Sequence, residues 1–422
     1  MAWSVSYEAV VSPFLPDDDK VDAVRRALPA TGAGIYLNTG SCGPMPEETA
    51  RAMAEATELD LRIGRAHAGH FEALVEWIDA ARAGVAAVIG ADLGEVALTH
   101  AASDGMSIAA WALEWRAGDR VVTTTQEHPG GLGPLYQLRD RLGVELVHVD
   151  VGDGGDDEAT LRGFDAAITP GTRMVSLSHV LYTTGAVLPV ARIAELARAR
   201  GALVAVDGAQ SAGAMPVNVP DLGVDVYAVP GQKWLLGPEG TGALWVSPAA
   251  MDRLGVTFAG YWSFEKIDSR GLAVLHAGAR RFDLSSFHPP SVLGLARSVG
   301  WLAMYVGLEW LQRRQARLAA GAARRLAAIP GVELVTPPDR MSTLVTFRIG
   351  GWRPDEALAE LQARTFAILR VVAAVDALRI SVGFFNTEDE LERFAGAVEL
   401  VAAHTPATLP PRRTLTMLGE SG

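Results

Sequence analysis

The sequence predicts an α/β protein in which a large domain, built on a mainly parallel sheet, is followed by a smaller α+β domain. The first observation is length, because 422 residues, 49% of them hydrophobic, exceed what one minimal core requires. The second is an alternation of short apolar runs with segments of helical period between residues 85 and 246. The third is a change of this pattern after about residue 290.

The large domain, placed at residues 31–290, is predicted from its apolar runs and the helical segments between them. Nearly continuous apolar strands are typical of a parallel sheet that helices cover on both faces. Val190–Arg200 is one of the amphipathic segments that separate the runs. The seven predicted strands are Glu95–Thr99, Arg120–Thr124, Glu145–Val149, Met174–His179, Leu203–Asp207, Val224–Val229 and Gly242–Val246.

The smaller domain is predicted at residues 291–422, with Pro289 and Pro290 at the boundary. Ser291–Ile329 has the spacing of one or two long helices. Thr387 and Glu390 form a T-x-x-E capping box that opens a last helix. Residues 1–30 are expected to pack against this domain. Its remaining short strands and helices are predicted at Glu333–Thr336, Leu344–Ile349, Asp355–Arg364, Ile368–Val372 and Ala377–Val382.

Composition excludes several classes of partner. The 37 basic and 49 acidic residues give a net charge of −12, which argues against a nucleic-acid or anionic membrane surface. No apolar run reaches the roughly 18 residues of a membrane span, and the N-terminus lacks the pattern of a secretory signal. The single cysteine, Cys42, excludes an intrachain disulfide and fits a reducing compartment. We therefore expect a cytoplasmic protein.

Lysine is rare, so few side chains can supply a nucleophilic amine. The three lysines are Lys20, Lys233 and Lys266. Lys20 follows three aspartates and Lys266 lies in a polar loop, so both are predicted to be solvated. Lys233 lies among apolar residues and glycines, in VPGQKWLLGPEGTGALWV, where desolvation would lower the pKa of its amine. Lys233 is therefore the candidate for a carbonyl-binding lysine.

Asp207 ends the apolar run LVAVD, at the edge where strands of an open α/β sheet present ligand-binding groups. Capping of a following helix is the alternative reading of this aspartate. A carbonyl-binding lysine and a strand-end aspartate together predict a pyridoxal phosphate site. The lysine would hold the cofactor through a Schiff base, and the carboxylate would keep the pyridine nitrogen protonated so that the ring accepts electrons from Cα.

Such a site also needs a phosphate cradle and a group over the cofactor ring. Ala102, Ser103 and Asp104 follow the run VALT and open a helix, so their backbone amides and the serine hydroxyl suit a phosphate. His128 lies just past another strand and is either the stacking group or a turn residue.

Three runs resemble class V aminotransferases of fold type I, a group that includes cysteine desulfurases, isopenicillin N epimerases, kynureninases and C–S lyases. They are SLSHVLYTTGAVLP, VAVDGAQSAG and GQKWLLGPEGTGALWV, and the resemblance extends from Tyr36 to Leu391. The D-x-x-Q element at Asp207 and the K-x-x-x-G-P element at Lys233 are specific to the family, much less to one reaction.

The resemblance implies roles for the cofactor-binding residues. Lys233 would carry the Schiff base and move the proton at Cα, Asp207 would pair with the pyridine nitrogen, and His128 would stack on the ring. Gln210 would hydrogen-bond the phenolic oxygen of the cofactor. The phosphate would be bound by Ala102 and Ser103.

The resemblance also implies a substrate side and a partner subunit. Arg379, in the run LRIS, would bind the carboxylate of an amino-acid substrate bidentately. Asn38 and Ser41 would lie near the substrate. The family is usually homodimeric, and the loop RRFDLSSF would bring Ser285 or Ser286 to the neighbour's phosphate.

The chain departs from the family pattern at three places. It has Pro230-Gly231-Gln232 before the lysine where the family commonly has S-G-H, so Gln232 would bind phosphate as a neutral donor. Tyr182 stands where an asparagine often meets the phenolic oxygen. The stretch ARTFAILRVVAAVDALR contains no cysteine, which excludes desulfurase persulfide chemistry there; Cys42 is interpreted as a packing residue.

Other site types fit less well. The chain has no G-x-G-x-x-G or P-loop motif, and AQSAG is only a near miss for a serine hydrolase. His67 and His70 could share a helix face and bind a metal, but we interpret them as polar positions near the site entrance and predict no metal. A catalytically silent binding module is the non-enzyme alternative.

The prediction is thus a pyridoxal phosphate enzyme that acts at Cα of an amino acid or amino-acid conjugate. Elimination of a C–S bond, epimerisation and transamination remain open, and decarboxylation coupled to deamination is a further possibility. The segments GQKW and FFNTEDE look closest to isopenicillin N epimerase-like members, which favours the lyase and epimerase branch by analogy.

Overall fold

The computed structural model describes residue 12, residues 14–284 and residues 286–412 of the chain. Its central feature is a seven-stranded sheet in the order β1-β7-β6-β5-β4-β2-β3. The strands are β1 Val96–Thr99, β2 Arg120–Thr124, β3 Glu145–Val149, β4 Thr172–Ser178, β5 Leu203–Asp207, β6 Val226–Pro230 and β7 Gly242–Val246. Strands β3, β2, β4, β5 and β6 pair in parallel, whereas β7 runs antiparallel to β6 and β1. The predicted mainly parallel sheet is confirmed.

Helices cover both faces of this sheet. The helices of this part of the chain are α1 Asp17–Ala27, α2 Glu47–Ile63, α3 His70–Ile89, α4 Ala102–Trp111, α5 Pro129–Leu142, α6 Asp157–Ala167 and α7 Val190–Arg198. Helix α1 packs apart from this sheet, in a core cluster with Phe384 and Phe385. Alternate residues of β5 enter different cores: Leu203 and Ala205 one, Val204 and Val206 the other. This alternation is why the strand reads as continuously apolar.

A second, four-stranded antiparallel sheet follows, in the order β10-β11-β13-β12. Its strands are β10 Val332–Leu334, β11 Leu344–Ile349, β12 Arg370–Val372 and β13 Ala377–Ser381, and its helices are α9 Leu308–Ala327, α10 Pro354–Thr365 and α11 Glu388–Ala402. The capping box at the start of α11 is present, since Thr387 Oγ1 accepts from the Glu390 amide at 3.1 Å and Glu390 Oε2 accepts from the Thr387 amide at 3.2 Å.

The two sheets are joined by a bent helical segment. Helix α8 Pro289–Gly300 continues into a π-helical turn, Trp301–Val306, and α9 leaves it at 85°. Gly307 sits at the bend with φ +87°, a conformation that L side chains avoid. Val292, Leu295 and Val299 of α8 pack into the core of the large sheet. The predicted division of the chain at residue 290 stays a prediction.

Within the described part of the chain, no single helix has the length and apolar composition needed to span a membrane. One bent pair of helical segments, Pro289–Val306 with Leu308–Ala327, meets those two criteria jointly.

The structure corrects the prediction that Lys20 is solvated. Lys20 is 1% exposed, and its Nζ lies 4.4 Å from the centre of the Trp310 ring. The three preceding aspartates face outward, but Lys20 shares the buried face of α1 with Ala23 and Val24, three and four residues further on. Both alanine and valine join a core cluster with Trp301, Phe384 and Phe385.

The sequence did not predict the exposed hairpin β8 Phe264–Ile267 and β9 Ala273–Leu275. Its residues are mostly exposed, so they lack the apolar run or alternation that marked the other strands.

Residues 37–43, which we call the N-terminal segment, are hydrogen-bonded first next to the four-stranded sheet and then next to the large sheet. The Leu37 amide donates to Ile368 O at 2.9 Å, and the Ser381 amide donates to Leu37 O at 2.8 Å. Six residues after Leu37, the Gly43 amide donates to Gln232 O at 2.8 Å. Residues 37–43 therefore connect the small sheet to the turn that follows β6.

Candidate active site

A cavity of about 250 Å³ opens at the carboxyl ends of β5 and β6, between the two sheets. Asp207 is the last residue of β5, and Lys233 lies three residues beyond the end of β6. Both side chains line the cavity. The parallel arrangement of the neighbouring strands brings their ends to one edge, which is where α/β sheets bind ligands.

Lys233 meets the cavity from a turn that the N-terminal segment covers. A Cβ added at Gly43 would lie 2.4 Å from Lys233 O, so the segment can approach this closely only with glycine there. Desolvation lowers the pKa of the Lys233 amine, and the positive charges of Arg379 and Arg370 lower it further, against the opposing effect of Asp207. A larger share of neutral, nucleophilic amine follows from this environment.

Asp207 is the carboxylate of the cavity. It is 7% exposed, and its Oδ1 accepts from the Ala209 amide at 2.9 Å. That bond fixes the side chain at the end of β5 while it faces the lysine.

The first turn of α4 is suited to an anion. The helix begins at Ala102, and no side chain caps the preceding Ala101. Its first N–H groups therefore lack intrahelical partners and carry the positive end of the helix dipole. Ala102 and Ser103 both line the cavity. A Cβ on Gly130 would lie 2.3 Å from Ser103 Oγ, so glycine leaves room for this hydroxyl.

His128 caps helix α5 from beside the same cavity. Its Nδ1 accepts from the Gly130 amide at 3.0 Å, so a neutral ring carries its proton on Nε2. Burial lowers the pKa of His128, as does the charge of Lys233, which favours that neutral form. The ring of Tyr182 meets the His128 ring edge-on, with the centroids 5.1 Å apart.

Two glutamines of the cavity differ in how their amides are used. Gln210 is engaged at both ends, since its Nε2 donates to Gly40 O at 2.8 Å and its Oε1 accepts from Trp234 Nε1 at 3.0 Å. Gln232 has a buried Oε1 with no hydrogen-bond partner in the part of the chain that the structure describes. A side-chain amide that reaches the cavity with an unused polar atom is suited to a polar ligand.

Arg379 reaches the cavity from β13 in the small sheet. It is 1% exposed, and its Nη1 donates to Tyr182 O at 2.6 Å. Its Nε and Nη2 have no hydrogen-bond partner among the described residues. Burial, reinforced by the nearby Arg370, lowers the pKa of Arg379 to about 9. Buried guanidinium N–H groups that face a cavity and have no acidic partner among the described residues are the donors that a carboxylate requires.

Of the other two residues predicted near the substrate, Ser41 lines the cavity and Asn38 does not. Ser41 Oγ donates to Asn38 Oδ1 at 2.8 Å, so Asn38 contacts Ser41 instead. Asp104 is also outside the cavity, because its Oδ2 accepts from the His100 amide at 3.1 Å.

Ser286 is exposed at φ +63° and does not line the cavity, and Ser285 lies outside the described residues. Their predicted role toward a neighbouring subunit stays a prediction.

Sequence reasoning missed Arg370 and Glu127. Arg370 lines the cavity from β12, directly opposite Arg379. The sequence signal was available, since ILRVV and ALRIS flank a short turn, but only the strand pairing places the arginines together. Glu127 lies behind His128 and accepts from Thr124 Oγ1 at 2.6 Å and Ser178 Oγ at 2.5 Å. Burial raises the pKa of Glu127 to about 7 despite these two bonds.

His67 and His70 do not share a helix face, because His67 lies in the turn before α3 and His70 is the first residue of that helix. Together with Asp60 they form a group whose possible ligand atoms lie within 4.8 Å of one another. His67 Nδ1 contacts Ala68 O at 2.8 Å, and His70 Nδ1 is 3.4 Å from Asp60 Oδ1. The prediction of no metal stays a prediction.

The cavity fits pyridoxal phosphate on observations made within it. Within the described residues, its helix N-terminus has no side-chain cap and the buried Gln232 Oε1 has no hydrogen-bond partner. A desolvated lysine faces it, and Asp207 ends the neighbouring strand β5. These are, in order, an anion cradle, an unused polar atom, an amine for a carbonyl group and a carboxylate for a pyridinium nitrogen.

Comparison with known proteins agrees with this fit. The model of the family "Aminotransferase class-V" matches residues 35–394. A probable cysteine desulfurase of Methanothermobacter thermautotrophicus is 27% identical, covering 91% of this chain and 98% of its own. Isopenicillin N epimerase of Streptomyces clavuligerus is 29% identical, covering 86% of this chain and 94% of its own.

Among solved structures, two of the protein C-DES superpose well, each at 25% identity. One is described as the cystine C–S lyase C-DES with its product cysteine persulfide, with a TM-score of 0.83 over 90% of this chain and 100% of C-DES. The other is a mutant with glycine covalently linked to the PLP cofactor, with a TM-score of 0.84 over 89% of this chain and 98% of that one.

Proposed function

The chain belongs to the aminotransferase class-V family and is a pyridoxal 5'-phosphate-dependent enzyme, and we propose that it cleaves a C–S bond of a cysteine-derived substrate by β-elimination. The observation that carries the proposal is the joint placement of Lys233, Asp207 and Arg379 around one cavity. We assign Lys233 and Asp207 to binding of the cofactor, and Arg379 to binding of the carboxylate of an amino acid. Chemistry at Cα follows from that combination.

The bound cofactor supplies an electron sink for negative charge that develops at Cα. Asp207 supports this by holding a proton on the pyridine nitrogen. Ala102, Ser103 and the side-chain amide N–H of Gln232 would hold the phosphate, and His128, whose neutral form is favoured by burial, would cover the ring. Tyr182 and Gln210 would be directed to the phenolic oxygen.

Lys233 is the group that takes the proton from Cα. A base for this step must be neutral before it acts, and the desolvation of its amine favours that form. Arg379 fixes the carboxylate next to Cα, which orients the C–H bond toward the lysine. Its guanidinium is planar, and its Nε and Nη2 have no partner among the described residues, so it is suited to a bidentate contact with a carboxylate.

Elimination is favoured over desulfurase chemistry by the residues that precede Arg379. Residues 363–379 contain no cysteine, and within them a short turn, Ala373–Val375, joins β12 to β13. Cys42 does not line the cavity; its Sγ contacts Glu239 Oε1 at 3.5 Å, and burial raises its pKa, which keeps it a thiol. The sulfur therefore leaves with the departing fragment of the substrate instead of passing to an enzyme cysteine.

Epimerisation at Cα is the second candidate, favoured by the similarity to isopenicillin N epimerase. It shares the first proton transfer with elimination and differs in that the proton returns to the opposite face. Transamination and decarboxylation coupled to deamination use the same cavity and are distinguished by their products.

Product analysis in heavy water tests the proposal. The holoenzyme is mixed with a panel of amino acids that includes cysteine S-conjugates, with and without a 2-oxo acid. Pyruvate, ammonia and a free thiol are the expected products. Recovery of intact amino acid with deuterium at Cα would contradict the lyase and indicate an epimerase. Amino transfer that occurs only with the oxo acid would indicate a transaminase.

We further propose that the chain acts as a cytoplasmic homodimer, with a large domain at residues 31–290, a small domain at 291–422 and residues 1–30 packed against the latter. Light scattering coupled to size-exclusion chromatography measures the oligomeric state, and a monomer that retains full activity would contradict the dimer.

A further inference from the structure

Two arginines line the substrate side of the cavity, whereas the α-carboxylate of an amino acid requires only one. Arg370 on β12 and Arg379 on β13 are direct partners in the antiparallel register, so their side chains leave the same face of the small sheet. Both line the cavity that contains Lys233. Like charges placed directly opposite each other destabilise a sheet, so this pair has a cost.

Neither guanidinium has an acidic partner among residues 12, 14–284 and 286–412. Arg370 Nε donates to Val371 O at 3.2 Å and its Nη1 donates to Ser41 Oγ at 3.3 Å. Among the same residues, Arg379 donates only to Tyr182 O. Asp207 is the one carboxylate among the cavity-lining residues, and it belongs to the lysine and the cofactor ring.

The charges of the bound cofactor do not account for both arginines. The phosphate has its own cradle at the first turn of α4, where Ala102 and Ser103 line the cavity. The α-carboxylate of an amino acid accounts for Arg379, the deeper of the two at 1% exposure. Arg370 is half-buried, contacts Ser41 of the N-terminal segment, and is left without an anion.

We infer that Arg370 binds a second anionic group of the substrate, so that the enzyme selects amino acids or cysteine conjugates that carry a carboxylate or another acid beyond Cβ. This inference rests on the proposed function, because it assigns Arg379 to the α-carboxylate. Two guanidinium groups on adjacent strands suit two anionic groups separated by a few bonds, and a guanidinium binds an oxyacid with more directional hydrogen bonds than an ammonium does.

The test uses two ligands that differ in charge and not in shape. S-(2-carboxyethyl)-L-cysteine carries the second acid, and S-(2-carbamoylethyl)-L-cysteine replaces it by a neutral amide. Binding to the holoenzyme is followed through the absorption spectrum of the cofactor, which responds to an amino acid whatever reaction comes later. The wild-type protein is expected to bind the acid about 10- to 100-fold more tightly than the amide.

Variants separate recognition from support of the fold. Arg370→Gln should collapse the ratio of the two affinities toward one, and Arg370→Lys should restore part of it. Arg379→Gln should weaken both ligands by a similar factor, because both carry the α-carboxylate. Lys266→Gln, a change at an exposed position on β8, should keep the wild-type ratio.

A wild-type protein that binds the acid and the amide equally would overturn the inference. So would an Arg370→Gln variant that keeps the preference, since Arg370 would then only hold Ser41 and its segment in place. If neither ligand, nor any other amino acid, altered the spectrum, the proposed function would itself fail and the inference would fall with it.

Discussion

The cavity has two sides that are built differently. The proposed cofactor side consists of residues at strand ends and at a helix start of the seven-stranded sheet, each close in sequence to the strand that positions it: Ala102, Ser103, Asp207 and Lys233. The proposed substrate side consists of Arg370 and Arg379 from paired strands of the small sheet, together with Ser41 from the N-terminal segment. One side is assembled from local motifs and the other from long-range pairing.

The difference teaches where generality and selectivity reside in this enzyme. The cofactor side uses helix N–H groups, one acid and one amine, and it must act identically on every substrate. The substrate side carries two cations without acidic partners in the described chain, so its contribution depends on the charges of the molecule that enters. Changes on the first side should affect all substrates alike, and changes on the second should not.

The largest expected effect is on the cofactor side. Lys233→Ala should abolish turnover of every substrate, because proton transfer alone contributes about 10²–10⁴ to the rate and the cofactor also loses its covalent attachment. Steady-state assays across the substrate panel measure this. Lys266→Ala, at an exposed position, serves as the control and should remain active. Borohydride-trapped cofactor on Lys20 or Lys266 of the wild-type protein would refute the assignment of Lys233.

On the substrate side, Arg379→Ala should reduce kcat/KM tens- to thousands-fold, a loss of about 2–5 kcal/mol in transition-state binding. A buried guanidinium that binds a carboxylate is removed, while the cradle for the phosphate is left as it was. Cofactor content, measured by absorbance, should therefore match the wild type. An unchanged kcat/KM would remove Arg379 from the substrate site.

Glu127 tests the comparison through pH, because it is buried behind His128 and does not line the cavity. Burial raises its pKa to about 7 in the folded protein, above the value of an unfolded glutamate. The folded state therefore binds the proton more tightly, and stability is lost as pH rises from about 4 through 7. Glu127→Gln removes this loss.

The free energy of unfolding of Glu127→Gln, relative to the wild type, should therefore rise by about 2–4 kcal/mol between pH 4 and pH 8. Denaturant unfolding at the two pH values measures it. A difference that does not change with pH would show that Glu127 ionises normally in the folded protein.

The smallest expected effect is that of Ser103→Ala. Loss of one hydroxyl donor to the phosphate should raise the dissociation constant of the cofactor about tenfold, or about 1–2 kcal/mol, while the α4 amides continue to bind it. Spectroscopic titration of the apoprotein gives the constant. Ser107→Ala, in the same helix and outside the cavity lining, is the matched control. Equal constants for the two variants would place the phosphate elsewhere.

Much of the fold was predictable because local sequence patterns, such as apolar runs and capping residues, specify its helices and strands. The five residues of β5 are all buried, so its apolar run marked it, and Thr387 and Glu390 marked the start of α11 by their spacing. Lys233 and Asp207 were predictable as candidates because an amine and an acid stand out in apolar surroundings.

The rest depended on contacts between distant parts of the chain. Arg370 became a cavity residue through its pairing with Arg379, and Lys20 became buried because Trp310, 290 residues away in sequence, covers it. The hairpin of β8 and β9 is mostly exposed, so its sequence has no apolar pattern from which the two strands could be predicted. The roles assigned to the individual site residues remain predictions, to be tested by the variants above.

The short stretch from Leu37 to Gly43 has a mechanical consequence. One end is hydrogen-bonded to Ile368, two residues before β12, and to Ser381 of β13, and the other to Gln232, next to the lysine. Any swing of the small sheet must therefore either break these bonds or drag the turn that carries Lys233. This hydrogen-bonded stretch of backbone therefore restrains the distance between the two arginines, Arg370 and Arg379, and the Lys233 amine, in addition to side-chain packing.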